Sequence, residues 1–257
     1  MKILVCMKQV IDTDASPELE AGSPWLRESA DTPFRVNRFD EYALEAALLL
    51  KDKNPATEVH VLSVGPGRVA QVLRNALSKG ADIGIHVRCD EPWLSALETA
   101  SHIASFAGNK GYDLVFTGVM SEDAMQGQVG PLLAALLSLP CAVSVVDLEL
   151  ASDKTFLLVE SELEGGLKEK ISLKLPALVT VQTGNRRPRY SSLSNILKSK
   201  EKTIRTVASE GLPRSEPREV YLPLSFPAPS TKGVVLTGTS EEKAERLLTI
   251  LHERALL

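Results

Sequence analysis

An α/β fold on a parallel sheet, with an antiparallel extension and an extended C-terminal arm, is what this sequence predicts, and three observations carry the prediction. In the N-terminal half, short runs rich in β-branched and bulky apolar residues alternate with longer stretches of helical periodicity, the pattern of strands joined by crossover helices. After Pro140 the helical stretches give way to successive strand-like segments separated by polar or glycine-containing turns. Beyond Ser199 the chain is charged and proline-rich, with too little apolar surface for a core of its own.

The elements follow in order. Residues 3–7, 59–64, 83–87 and 114–117 are short continuous apolar runs bounded by turn or polar residues, which suits buried parallel strands. Between them, 40–53 places Tyr42, Ala43, Ala46, Ala47 and Leu50 on one helical face. A second helix, 70–79, stops at Gly80; a third spans 93–107, and a fourth, 130–139, is closed by Pro140. Residues 142–150, 155–162, 168–173 and 177–182 read as the antiparallel extension, with Gly165-Gly166 at one turn and 185–188 ending the regular portion. The arm carries prolines at 213, 217, 223, 227 and 229 before a last helical pattern over 240–252. We therefore expect a domain over 1–199 and, over 200–257, either a flexible tail or, as the stronger reading, an arm that orders by lying on a partner subunit.

Composition bounds the function. With 257 residues and 44% hydrophobic content the chain can fill a genuine core. No apolar run approaches the roughly 20 residues that span a bilayer, and the start is too short for a signal-peptide core, so a cytoplasmic protein without membrane insertion is expected. The formal charge of −4 argues against a general nucleic-acid or membrane-surface binder, although 198–205 is locally basic. Cys6, Cys89 and Cys141 are widely separated and form neither a C-x-x-C pair nor part of a zinc pattern, so reduced structural thiols are expected.

In an open parallel sheet, ligands bind beyond the carboxyl ends of the strands. Three segments converge there: 5–8, 64–67 and 117–130. The last is polar and glycine-containing, and it leads into a helix whose exposed amides and dipole can hold a phosphate, with Gln126 and Gln128 able to add hydrogen bonds. It carries neither the P-loop ending nor a full G-x-G-x-x-G, so spacing leaves open a helix start whose glycines only permit close packing. No catalytic machine is legible. His60, His86, His102 and His252 are isolated, no G-x-S-x-G or H-E-x-x-H occurs, and Glu162 with Glu164 reads as a solvated hairpin.

Several ordered segments resemble the β subunit of electron-transfer flavoproteins from Met1 to about Lys202. They are Ile3-Leu4-Val5-Cys6-Met7-Lys8-Gln9-Val10-Ile11-Asp12, the helix start Asn37-Arg38-Phe39-Asp40-Glu41-Tyr42-Ala43-Leu44-Glu45-Ala46-Ala47, Gly80-Ala81-Asp82, the loop from Asp123 to Pro131, Glu164-Gly165-Gly166 leading to Leu175-Pro176-Ala177-Leu178-Val179-Thr180, and Pro188-Arg189-Tyr190-Ser191-Ser192-Leu193-Ser194-Asn195-Ile196-Leu197-Lys198. The resemblance implies a Rossmann-like adenine-nucleotide-binding domain in a heterodimer with an α subunit that holds the redox-active FAD. Electrons would arrive from an acyl-CoA-type or other flavin dehydrogenase and leave to a quinone reductase or a ferredoxin-type acceptor, with bifurcation as one variant. The implied nucleotide-binding positions are Cys6, Asn37, Arg38, Phe39, Asp40, Val64, Gly118, Asp123, Gln126, Gly127, Gln128 and Val129. Leu193 corresponds to the family's anchor into partner dehydrogenases, with Ile196, Lys198 and Lys200 beside it.

The loop from Gly118 to Pro131 resembles the family's shorter form, associated with a second FAD in this subunit. Met125 and Gln126 depart from that form, which often has Asp and Thr there, so both AMP and a second FAD stay open. Ser161 replaces a basic residue common before the Glu-Gly-Gly turn. A different class of function also fits an α/β domain of this kind, a nucleotide-sensing regulatory module that binds ATP or AMP as a homodimer.

Overall fold

The computed structural model describes the whole chain except Thr13, Pro17, Pro92, Asn185, Arg214, Pro217, Pro229, Ser230, Thr231 and Lys232. Two of the arm's prolines and the start of the turn expected at 185–188 thus lie outside the described residues. The chain divides into two units, one of Met1–Pro17 with Glu28–Val220 and another of Glu18–Arg27 with Tyr221–Leu257.

The first unit opens with β1 (Lys2–Cys6) and a small antiparallel ribbon of β2 (Gln9–Ile11) and β3 (Phe34–Val36). It continues with α1 (Arg38–Lys53), β4 (Glu58–Gly65), α2 (Ala70–Lys79), β5 (Ile83–Arg88), α3 (Ala96–Ala107), β6 (Leu114–Gly118) and α4 (Val129–Leu137). Then come β7 (Cys141–Leu150), β8 (Phe156–Glu162), β9 (Lys168–Lys174), β10 (Ala177–Val181), α5 (Leu193–Ser199) and β11 (Ile204–Ala208). The large sheet has nine strands in the order β11-β5-β4-β1-β6-β10-β7-β8-β9. Register is set at its centre by Ile3 opposite Val59 and Leu114, and by Ala177 opposite Leu114.

The expected antiparallel extension is realised only in part. β8 runs antiparallel to β7 and β9, but β10 inserts between β6 and β7 and is parallel to both. Its five residues Ala-Leu-Val-Thr-Val are all buried, as a strand covered on both faces requires, whereas β8 alternates exposed and buried positions. The sheet also continues past residue 199, because β11 adds a parallel edge strand beside β5. The first unit runs to Val220.

Alternation along the central strands divides the core between two faces. Ile3, Val5, Val59, Val61, Leu114 and Phe116 pack with Ala43, Leu44, Ala47 and Leu48 of α1 and Leu73 of α2. Leu4, Leu62, Ile85, Val115 and Leu178 pack with Ala100 and Ile103 of α3 and Leu133 of α4. Each fully buried side chain of this size contributes about 1.5–3 kcal/mol relative to exposure. The helix α4 lies close on the sheet because Gly130 has no side chain; a Cβ there would stand 2.5 Å from Thr180 Cγ2 and 2.8 Å from Thr117 Oγ1. Helix α3 starts in a capping box made by Ser95 and Glu98.

In the second unit, Leu19 and Leu26 form an antiparallel bridge, the Leu224 N–H donates to the Ser23 carbonyl at 2.9 Å, and the rings of Trp25 and Tyr221 lie 4.5 Å apart. Its helix α6 (Ser240–Glu253) is capped by Thr239 and Glu242 and leaves Leu247 and Leu248 exposed. Among the described residues, no helix is long and apolar enough to cross a membrane.

Candidate functional site

Because β1, β4 and β6 are parallel, Cys6, Val64 and Gly118 come to the same end of the sheet. The start of α1 and the loop 119–128 meet there as well, joined by the buried Asp40. One Asp40 carboxylate oxygen, Oδ2, accepts the Lys8 backbone N–H at 2.7 Å, and Oδ1 accepts that of Gly118 at 3.0 Å. This carboxylate therefore pins the end of β1 to the end of β6. Burial pushes it up to about 7 against these donors, Asn37 and the Lys8 charge, all of which favour the ionised form. Gly118 has to be glycine, since a Cβ would lie 2.4 Å from Asp40 Oδ1 and 2.7 Å from Phe39 Cβ.

Asn37 secures the first half of the loop. Its Nδ2 donates to the Met120 carbonyl at 2.9 Å, and its Oδ1 accepts the Glu122 N–H at 3.1 Å. Glu122 returns the connection, accepting the Arg38 backbone N–H at 3.0 Å and the Arg35 guanidinium at 2.9 Å. Lys8 completes the clamp with its Nζ 2.7 Å from Asp123 Oδ1 and 3.4 Å from Ser121 Oγ. Partial burial opposes ionisation of Asp123, but Lys8, Ser121 and the Ala124 N–H together hold the carboxyl below its usual range. Cys6 is pushed up by burial and then by Asp40, so its thiol stays protonated and unreactive.

The second half of the loop is built differently. Met125 and Gly127 both have positive φ, 52° and 65°, and Met125, Gln126 and Gln128 are exposed. The first turn of α4 holds no acidic residue, and Gln128 caps it without a side-chain bond. Leu132 donates to the Gln128 carbonyl at 3.0 Å, which leaves the Val129 and Gly130 N–H groups outside the intrahelical ladder. Such a terminus attracts anions.

The nucleotide positions implied by the sequence are thus gathered at one end of the sheet, but in two roles. Asn37 and Asp40 spend their side chains on the protein itself, whereas Gln126 and Gln128 are exposed at the start of α4, with Val129 half-buried and Gly130 buried beside them. Sequence reasoning placed Lys8 and Glu122 in segments at the ligand end of the sheet without giving either a role, and it did not reach Arg35. The signal for their pairing was charge alone, an adjacent Glu122-Asp123 pair with lysine and arginine far away in the chain. Among the described residues, no group of three or more His, Cys, Asp or Glu stands together to hold a metal.

Leu193, Ile196, Lys198 and Lys200 lie elsewhere, in and just after α5. Leu193 is 82% exposed, and Ile196, Leu197 and Lys198 also face outward. Ser192 caps α5 by accepting the Asn195 N–H. Polar bonds hold the segment to α2: Ser191 Oγ to Ser78 Oγ at 2.6 Å, and Arg74 Nη1 to the Ser199 and Lys202 carbonyls at 2.6 and 2.7 Å.

Comparison with known proteins gives a consistent result. A family model described as "Electron transfer flavoprotein domain" matches residues 28–211. The chain is 32% identical to the mitochondrial electron transfer flavoprotein subunit beta of Arabidopsis thaliana over 98% of this chain and 99% of that one. It is 32% identical to the electron transfer flavoprotein subunit beta of Bacillus subtilis over 99% of each chain. It is 35% identical to that of Bradyrhizobium diazoefficiens over 94% of this chain and 95% of the relative.

Proposed function

From the premise that the chain belongs to the electron transfer flavoprotein family, as a β-type subunit, we propose that it binds an adenine nucleotide at the carboxyl end of its sheet. There it works with an α subunit that carries the redox-active FAD. The observation that carries the nucleotide reading is the division of the loop 119–128. Its first half is fixed by Asn37, Glu122 and Lys8, and its second half exposes Gln126 and Gln128 and leads into a helix N-terminus free of acidic residues, whose first N–H groups precede the intrahelical ladder. The chemistry of these donors fits a phosphate, and the absence of a side chain at Gly127 lets backbone and ligand approach closely.

In this reading the N-terminus of α4 at Val129, with Gln126 and Gln128, holds the phosphate. Cys6, Val64 and the start of α1 shape the floor of the site. A flavin, when bound, supplies the electron-carrying chemistry; the residues of this chain bind, orient and shield. Of the described site residues, Asp40 is tied to the Lys8 and Gly118 N–H groups and the Cys6 thiol is held protonated, and neither is given a role as base or nucleophile. Electrons enter from a flavin dehydrogenase docked on Leu193, Ile196, Lys198 and Lys200, and leave to a quinone reductase or ferredoxin-type acceptor. The unpaired thiols of Cys6, Cys89 and Cys141 are in keeping with a reducing compartment such as the cytoplasm.

The test is co-expression with an α-type chain, a visible spectrum, and extraction of the bound nucleotides. One FAD with one AMP per heterodimer identifies a simple carrier; two FADs identify a bifurcating one. A colourless homodimer that releases ATP sinks the proposal.

A further inference from the structure

The exposed docking helix makes little use of apolar packing: Leu193, Ile196 and Leu197 all face outward, and Tyr190 is 97% exposed. What fixes its direction is a set of polar ties, of which the strongest sits just before it. Arg189 directs its guanidinium onto α1. Its Nη2 donates to Glu45 Oε1 at 3.0 Å and to Asp52 Oδ2 at 2.7 Å, its Nε donates to Glu45 Oε2 at 3.0 Å, and its backbone N–H donates to the same oxygen at 3.0 Å. Glu45 is buried in the helix face, and its carboxylate accepts four hydrogen bonds from this one residue. Hydrogen bonding to Glu45 in turn raises the Arg189 guanidinium well above its ordinary range.

We infer that Arg189 is the positioning residue of the docking helix, its fork on Glu45 and Asp52 setting the point and angle at which residues 190–199 leave α1 and so where Leu193 is presented. The inference rests on the docking reading of Leu193. A planar fork defines direction as well as distance, which a lysine ammonium does not. Arg189 stands four residues before Leu193, so a change of angle at its Cα is carried directly to the anchor. The far end of the helix is held separately, by Arg74 on the Ser199 and Lys202 carbonyls and by Lys202 Nζ on the Leu77 and Ala81 carbonyls. Loss of the fork therefore frees one end of the segment without releasing the other. The same helix α1 carries Asp40 in its first turn and Glu45 in its second, so nucleotide loop and docking helix take their positions from one rigid element.

The experiment uses the full heterodimer. Arg189→Ala strands a buried Glu45 and risks unfolding, so the informative variants are Arg189→Lys and the double change Arg189→Ala/Glu45→Gln, with Leu193→Ala as benchmark. Amide exchange is followed by mass spectrometry, and reduction is followed with a reduced acyl-CoA-type flavin dehydrogenase as electron donor. In the double variant we expect exchange over 190–196 to rise at least about tenfold while 1–8 and 114–130 are unchanged. We expect KM for the donor to rise about tenfold, short of the roughly thirtyfold or more that outright loss of an interface hot spot costs, with kcat within about twofold and bound nucleotide retained. Arg189→Lys should fall between wild type and the double variant. Unchanged exchange and KM, with Leu193→Ala impaired, overturns the inference. If Leu193→Ala also leaves KM unchanged, the docking reading itself fails, and with it the inference.

Discussion

A methyl group on Gly118 would lie inside contact distance of both Asp40 and Phe39. Gly118→Ala should therefore destabilise the first unit by about 1–3 kcal/mol, the usual cost of overpacking, and lower nucleotide retention, measured by urea unfolding and extraction. Asp40 makes a second prediction. Its folded value of about 7 lies above the ordinary 3.8, so the folded state holds the extra proton between those limits. Stability from this group is then fully present below the ordinary 3.8, declines as pH rises towards about 7, and is level above it. A carboxyl titration by NMR should give a midpoint near 7, and Asp40→Asn should remove the decline. A normal carboxylate midpoint would refute the burial argument. Neither the glycine requirement nor the buried carboxylate was legible as such in the sequence. Asn37-Arg38-Phe39-Asp40 stood out only by resemblance, and there Asp40 read as a ligand contact rather than the pin between two strands.

At the scale of elements, the loop 119–128 depends on α1 for its shape. Asn37→Ala leaves the Met120 carbonyl and the Glu122 N–H without partners. We expect a loss of about 1–3 kcal/mol and faster amide exchange at 119–123, with nucleotide affinity reduced. Unaltered exchange there would show that Glu122 and Lys8 suffice. For the proposed docking helix, Leu193→Ala should slow reduction by a partner dehydrogenase without displacing nucleotide, because Leu193 lies on α5 and is not among the residues whose bonds shape the loop. The strands and helices of the first half were legible because apolar runs and helical periodicity are local signals. Strand β10 carried its own signal as well, an unbroken buried run, but its position after a meander suggested antiparallel pairing. The ribbon of β2 and β3 escaped notice because each strand has three residues and its partner lies beyond a long connection. Strand β11 escaped because its alternation is weak and it follows a charged stretch. Pairings such as Lys8 with Asp123 leave no trace in local sequence, since only the fold brings the charges together.

For the molecule as a whole, the exposed leucines are concentrated where a partner subunit is proposed. Leu247 and Leu248 stand together on α6, with Leu222, Leu224 and Phe226 exposed in the preceding arm. The double change Leu247→Glu/Leu248→Glu should abolish association with the α chain in size-exclusion chromatography while the first unit melts unchanged. An intact heterodimer would remove the arm from the interface.

The second unit joins residues 18–27 to 221–257, so its two parts are separated by about 200 residues of chain. During synthesis, the stretch that ends at Arg27 waits roughly 10–40 s for Tyr221 to be made, at ordinary ribosomal rates of about 5–20 residues per second. The α/β sheet has its strands in hand before then. The order of events is therefore written into the topology: a chain cut short before Tyr221 folds a sheet and leaves residues 18–27 without the segment that covers Trp25 and donates to the Ser23 carbonyl. Truncation products of this protein should be recognisable by protease cleavage between residues 18 and 27, long before any cut appears in the sheet.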